Sequence, residues 1–203
     1  MDSDAIWGCV DEQRLDLADM LDGLSAEQWS APSLCAGWTV REVATHITQS
    51  HASHLELARA ALRWGFRFNT MVFQLALSDT KTPEQITAHL RAMVGSRRRP
   101  PGTAELDPLT DMLVHGQDIA VPLGIARPMP IPAAVAVADR LWRMRFPANP
   151  QRRLPGVRFV ADDAEFTVGD GYRIDAPIRD IVMILGGRPA PITEEVNAHI
   201  GAK

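Results

Sequence analysis

The 203-residue sequence predicts a mainly α protein: a helical bundle over residues 1–146, followed by a small α/β appendage over 147–203. Three observations point there. Apolar residues recur at helical spacing through most of the first part, and several of those stretches open on capping signals. Around Pro147 the pattern changes to short runs of alternating polarity separated by turn residues. Apolar residues make up 46% of the chain, enough to fill a substantial core, while charged residues at 23% are ordinary for a soluble protein.

Residues 4–22 read as a helix, with Ile6, Val10, Leu17 and Leu21 in spaced apolar positions and Gly23 as a stop. Ser25-Ala-Glu-Gln28 is a capping-box pattern that predicts a short helical turn. Pro32 to Trp38 is a loop. Thr39-Val-Arg-Glu42 is a second capping box and opens a long helix to about Arg63, with Val40, Val43, Ala44, Ile47, Leu55, Ala58 and Leu62 in one arc. A short helix is expected over 66–78. Thr82-Pro83-Glu84-Gln85 joins an N-cap to a proline at the first helical position, predicting a helix to about Arg97. Helices over Pro108 to Leu123 and Pro132 to Met144 follow. The appendage reads as strands at Val157–Val160, Glu165–Val168 and Tyr172–Ile174, then a helix from Pro177 to Leu185 stopped by Gly186-Gly187.

Bulk properties exclude several function classes. The net charge of −4 gives no general attraction to nucleic acid or an anionic membrane surface. The one basic run, Arg97-Arg98-Arg99, has no interleaved aromatic and reads as a solvated helix end. The first residues carry acids where a signal peptide needs basic residues and an apolar stretch, and the longest apolar run, Ala133 to Ala138, is far too short for a bilayer span. A cytoplasmic location is expected. Cys9 and Cys35, the only cysteines, lack the close spacing of a zinc ribbon or redox pair and read as small packing residues.

The segment that carries chemistry is Asp111-Met-Leu-Val-His115-Gly-Gln-Asp118. Positions 111, 115 and 118 project from one side of a helix whose other positions are mostly apolar, so the helix is deeply packed. Burying carboxylates beside an imidazole is costly unless they pair or bind a cation. An Asp–His ion pair accounts for this spacing, and so does a divalent metal. Asp118 is open to three roles: ligand, partner that orients His115, or helix cap. His46 lies beside the apolar arc of its helix and can turn toward the bundle interior. One ligand from that helix and two from a facing one make a site with an open fourth position, as a catalytic zinc needs. His51, His54, His89 and His199 read as surface or core-edge histidines.

Pro32-Ser-Leu-Cys-Ala-Gly-Trp-Thr-Val-Arg-Glu-Val-Ala-Thr-His46 resembles the first motif of the mycothiol-dependent maleylpyruvate isomerase family, within the DinB-like four-helix-bundle superfamily. Asp111-Met-Leu-Val-His-Gly-Gln-Asp-Ile-Ala-Val-Pro-Leu-Gly124 resembles its second motif. Val157 to Gly171 and Gly186-Gly-Arg-Pro189 are similar to its tail domain. The resemblance implies a DinB-like four-helix bundle with a small C-terminal α/β appendage. It also implies a divalent metal, usually zinc, on His46, Asp111 and His115, with aspartate at 111 where the isomerase has glutamate.

The implied function is that of a zinc enzyme that uses a low-molecular-weight thiol, mycothiol by resemblance, for S-transfer to, or isomerisation of, a small electrophile. Its partners are then small molecules rather than nucleic acid or membrane. Two alternatives stand beside it: zinc-dependent hydrolysis at the same open position, and a non-catalytic bundle that binds a metal or small ligand.

Overall fold

In the computed structural model the described residues are 1–51, 59, 60, 62–65, 68–100 and 102–200. Contacts between elements divide the chain into two compact units, Ser3–Arg127 and Pro128–Lys203 joined by Met1–Asp2. The units part at Arg127, one helix before the change of pattern at Pro147.

The first unit is a bundle built on α1 (Ser3–Asp22), α3 (Val40–Thr48), α5 (Pro83–Ala92) and α6 (Asp107–Ala120). α1 packs on α5 and α6, and α3 packs on the same two, which closes the ring of four. The short α2 (Ala26–Trp29) and α4 (Phe68–Leu77) both pack on α3. The core is apolar: Leu17, Leu21, Val40, Val43, Ile86, Leu90 and Ile119 are all completely enclosed. Each such side chain contributes about 1.5–3 kcal/mol on leaving water.

Local signals set the helix ends. The capping boxes at Ser25, Thr39 and Thr82 all form. α5 stops at Ala92 rather than near Arg97, because the chain turns at Gly95, whose φ of 79° is left-handed and costs glycine little. α3 gives way after Thr48 to a 3-10 turn, Gln49–His51. Residues 59, 60 and 62–64 are helical, and Leu62, assigned to the same apolar arc, is 82% exposed. His54, Leu55 and Ala58 lie outside the described residues.

Two buried arginines cross-link the bundle. Arg14 on α1 donates to the carbonyl oxygens of Met93 at 2.7 Å and Ser96 at 2.9 Å, holding the end of α5. Arg127 donates to Gln13 Oε1 at 3.1 Å and pairs with Asp16 at 2.7 Å. It lies across α6 at Gly116, where a Cβ would stand 2.9 Å from Arg127 Nε.

In the second unit, α7 (Ile131–Arg143) packs on α8 (Pro150–Arg153) and α9 (Ile178–Leu185). A three-stranded sheet, in the order β2-β1-β3, joins β1 (Val157–Ala161), β2 (Thr167–Gly169) and β3 (Tyr172–Ala176). β1 runs antiparallel to β2, pairing Phe159 with Val168, and parallel to β3, pairing Phe159 with Ile174. α10 (Thr193–Ile200), unanticipated in the sequence, packs on β1 and β3.

Candidate metal centre

The first-motif loop folds on itself before α3 begins. Ser33 Oγ accepts from the Cys35 amide at 3.1 Å and donates to the Trp38 carbonyl at 2.9 Å. The Trp38 amide donates to the Cys35 carbonyl at 3.0 Å. Gly37 permits this turn with a φ of 81°, and a Cβ there would meet the Phe73 ring at 3.2 Å. Leu34 N donates to the Asp118 carbonyl at 3.0 Å, so the loop is tied to α6 through the backbone. Glu42 then caps α3 by accepting from the Thr39 amide at 2.8 Å and from its hydroxyl.

That arrangement brings His46 on α3 against His115 on α6. Their rings meet edge to face with centroids 4.8 Å apart. Trp38 packs on the other side of His46, with ring centroids 5.1 Å apart, and Phe73 stacks on Trp38 at 5.7 Å. One wall of the histidine pair is therefore aromatic.

Behind His115 lies a polar triad. Its Nδ1 stands 2.8 Å from Oδ2 of Asp118, whose side chain is completely enclosed. The Cys35 thiol donates to the same oxygen at 3.0 Å, and its sulfur lies 3.7 Å from His115 Nδ1. Among the described residues, Cys35, His115 and Asp118 form a group whose donor atoms lie within 4.8 Å of one another and could hold a metal.

Of the residues expected to form the site, His46 and His115 therefore stand side by side. Asp111 is half-buried on α6, one helical turn before His115 and on the same face. Asp118, open to three roles from the sequence, makes a direct hydrogen bond with His115 and also stands in the cluster that could hold a metal. Cys35, read from sequence as a packing residue, does pack against the apolar core and also joins the polar triad. The only sequence sign of this was its place in the loop just ahead of His46.

Comparison with known proteins gives the same outline. A family model described as the mycothiol maleylpyruvate isomerase N-terminal domain matches residues 10–120, more than half of the chain. The crystal structure of the mycothiol-dependent maleylpyruvate isomerase superposes with a TM-score of 0.64 at 12% identity, covering 94% of this chain and 91% of that one. A histidine-to-alanine mutant of that isomerase superposes with a TM-score of 0.61 at 11% identity, covering 93% and 90%. At such identity the likeness shows the fold alone, a mainly helical bundle with a small sheet-bearing tail. No curated protein sequence matches the chain.

Proposed function

The chain belongs to the mycothiol maleylpyruvate isomerase N-terminal domain family, and on that premise we propose that it is a metal-dependent enzyme of the transferase or isomerase kind. Its cosubstrate is a low-molecular-weight thiol, mycothiol by family, and its substrate a small electrophile. The observation that carries this reading is the edge-to-face pair of His46 and His115.

The donor set fits a metal. Two imidazoles that share a tetrahedral ion through bonds of about 2.0–2.1 Å have ring centroids about 5 Å apart, and the observed 4.8 Å agrees. His46, Asp111 and His115 would hold the ion, with zinc as the family's usual metal. The alternative set of Cys35, His115 and Asp118 is less suitable. Two ligands on such bonds stand about 3.3 Å apart at the tetrahedral angle, whereas His115 Nδ1 and Asp118 Oδ2 are 2.8 Å apart, a hydrogen-bond length. Asp118 thus orients His115, fixes its tautomer and leaves Nε2 as the ligating nitrogen.

When bound, zinc supplies a positive charge that favours the thiolate, the nucleophilic form of a thiol. The remaining work falls to this chain's own groups. Asp118 holds the His115 ring in place. Cys35 supplies that carboxylate with a second donor, which lowers the cost of burying it. Trp38 and Phe73 keep water from one side of the histidines and present an apolar surface to the electrophile.

Cobalt substitution tests the reading. Cobalt-loaded protein made without a histidine tag should develop a sulfur-to-cobalt charge-transfer band on addition of mycothiol. Metal bound without that band, together with ester or amide hydrolysis, would move the assignment to a hydrolase. Protein that takes up no metal would be a non-catalytic bundle.

A further inference from the structure

Thr193, Val196, Asn197 and Ile200 lie three and four positions apart and so share one side of α10. Only Val196 of the four is buried. That side does not close onto a packed core but lines a cavity of about 380 Å³, which is also lined by Arg153, Leu154, Ile184 and the turn Gly187-Arg188-Pro189. Sites for small molecules occupy about 300–1,000 Å³. The floor is apolar, because Leu154, Ile184 and Val196 are the buried members of the lining. Arg153, Gly187 and Asn197 are exposed, so the cavity opens to solvent where its polar groups stand.

Two guanidinium groups line this cavity, and among the described residues no carboxylate does. Arg153 is fixed by neutral acceptors alone. Its Nε donates to the Ala148 carbonyl at 2.8 Å, and its Nη2 donates to the carbonyls of Leu185 at 2.7 Å and Ile184 at 3.2 Å. It makes no ion pair among the described residues, and its Nη1 makes no hydrogen bond among them. Partial burial and the like charge of Arg188 both lower its pKa, which places the two cations near enough to repel. A Cβ at Gly187 would stand 3.7 Å from Arg153 Cζ, so glycine leaves that side of the guanidinium uncovered.

We propose that this cavity binds a small monocarboxylate with an apolar chain, the carboxylate on Arg153 and Arg188 and the chain on Leu154, Ile184 and Val196. The lining sets the class. A planar guanidinium fork matches a carboxylate through two parallel hydrogen bonds, and one anion beside both arginines offsets their repulsion. The apolar floor disfavours phosphate or sulfate, whose remaining oxygens would lose water against it without gaining a donor. Every group involved belongs to the second unit, so the site stands independently of the metal-centre reading.

The test is calorimetric titration of the zinc-loaded full chain with hexanoate, acetate and hexanamide. Hexanoate should bind at least about tenfold more tightly than acetate, which lacks the chain, and than hexanamide, which lacks the charge. Removing the zinc with a chelator should leave the hexanoate affinity unchanged. Arg188→Gln should bring that affinity down to the level of hexanamide. Asn197→Glu decides the matter if the Arg188 variant does not fold, because position 197 is an exposed helix position on the cavity. It tethers a carboxylate beside the two arginines and should abolish hexanoate binding. Its thermal midpoint should exceed that of Asn197→Gln, the uncharged variant of equal length, which should still bind hexanoate. A gap left only by loose packing of α10 would show no preference for the carboxylate. Equal affinities for hexanoate and hexanamide or for hexanoate and acetate, hexanoate binding that survives Asn197→Glu or is lost with the zinc, or no binding of any probe, each overturns the inference.

Discussion

Asp118 Oδ2 accepts from both His115 Nδ1, at 2.8 Å, and the Cys35 thiol, at 3.0 Å, inside a pocket that encloses the aspartate side chain completely. One carboxylate oxygen thus joins the first-motif loop to the second-motif helix across 83 positions of sequence. The two ways of placing a metal in this cluster follow from how that oxygen is used, and they make different predictions.

If Asp118 orients His115, removing the thiol beside it leaves the ligands in place. Cys35→Ala should retain a full equivalent of zinc by elemental analysis. Asp118→Asn should weaken zinc about 10- to 100-fold, the usual cost of losing the partner that orients a ligating histidine. Loss of metal in the Cys35 variant would instead make the sulfur a ligand.

His46→Ala and His115→Ala each remove a proposed ligand from one of two facing helices. Both should abolish or sharply weaken zinc binding in a competition titration, yet leave the far-ultraviolet circular dichroism unchanged, because apolar burial supplies most of the bundle's stability. His199→Ala, whose ring stacks on Tyr172 in the second unit, is the control and should keep its metal. Asp111→Glu restores the longer acid and should preserve binding, while Asp111→Asn should weaken it.

Much of this is legible in the sequence. The capping boxes at Ser25, Thr39 and Thr82 are local devices, written within four residues, and all three form. The meeting of His46 and His115 followed from two motifs on helices with matching apolar faces. What could not be read was mostly non-local. Nothing in sequence spacing tells that Cys35 reaches Asp118. The apolar face of α7 has the same periodicity as that of a bundle helix, and periodicity does not say which core a face covers. α10 carries no apolar stripe to mark it in the sequence, because Val196 is its one buried residue.

His51 gives the fold a calculable response to acid. Burial pushes its pKa down from 6.5 to about 4, and the nearby charges of Arg14, His89 and Arg98 act in the same direction. The unfolded chain therefore takes the proton first as pH falls below about 6.5. Stability should decline from there down to about pH 4 and then level off, with a ceiling of about 3 kcal/mol for this one group. Urea unfolding at pH 7 and pH 4.5 should show a smaller acid loss for His51→Asn than for wild type. Equal losses would remove His51 from the account.

Gly116→Ala tests the arginine clamp. Alanine ordinarily favours a helix interior by up to about 1 kcal/mol over glycine. Here its methyl would press on Arg127 Nε at 2.9 Å, and overpacking of this kind costs about 1–3 kcal/mol. The net change should be destabilising by about 1 kcal/mol in urea unfolding, and a stabilised variant would show that the guanidinium moves aside freely.

The place of that clamp matters beyond stability. Gly116 is the residue next to His115, and the flat guanidinium laid over it is anchored on α1 through Gln13 and Asp16. A helix can slip or roll against its neighbours at small cost when its contacts are smooth and apolar. A notch filled by a rigid planar group removes that freedom. α6 is thereby set in rotational phase at the one point where a turn of a few degrees would swing the imidazole away from His46. The aim of the histidine is thus governed from the adjoining face of its own helix, and if His115 holds a metal as proposed, variation at Gln13 or Asp16 would register as a change in metal affinity before it registered as a loss of fold.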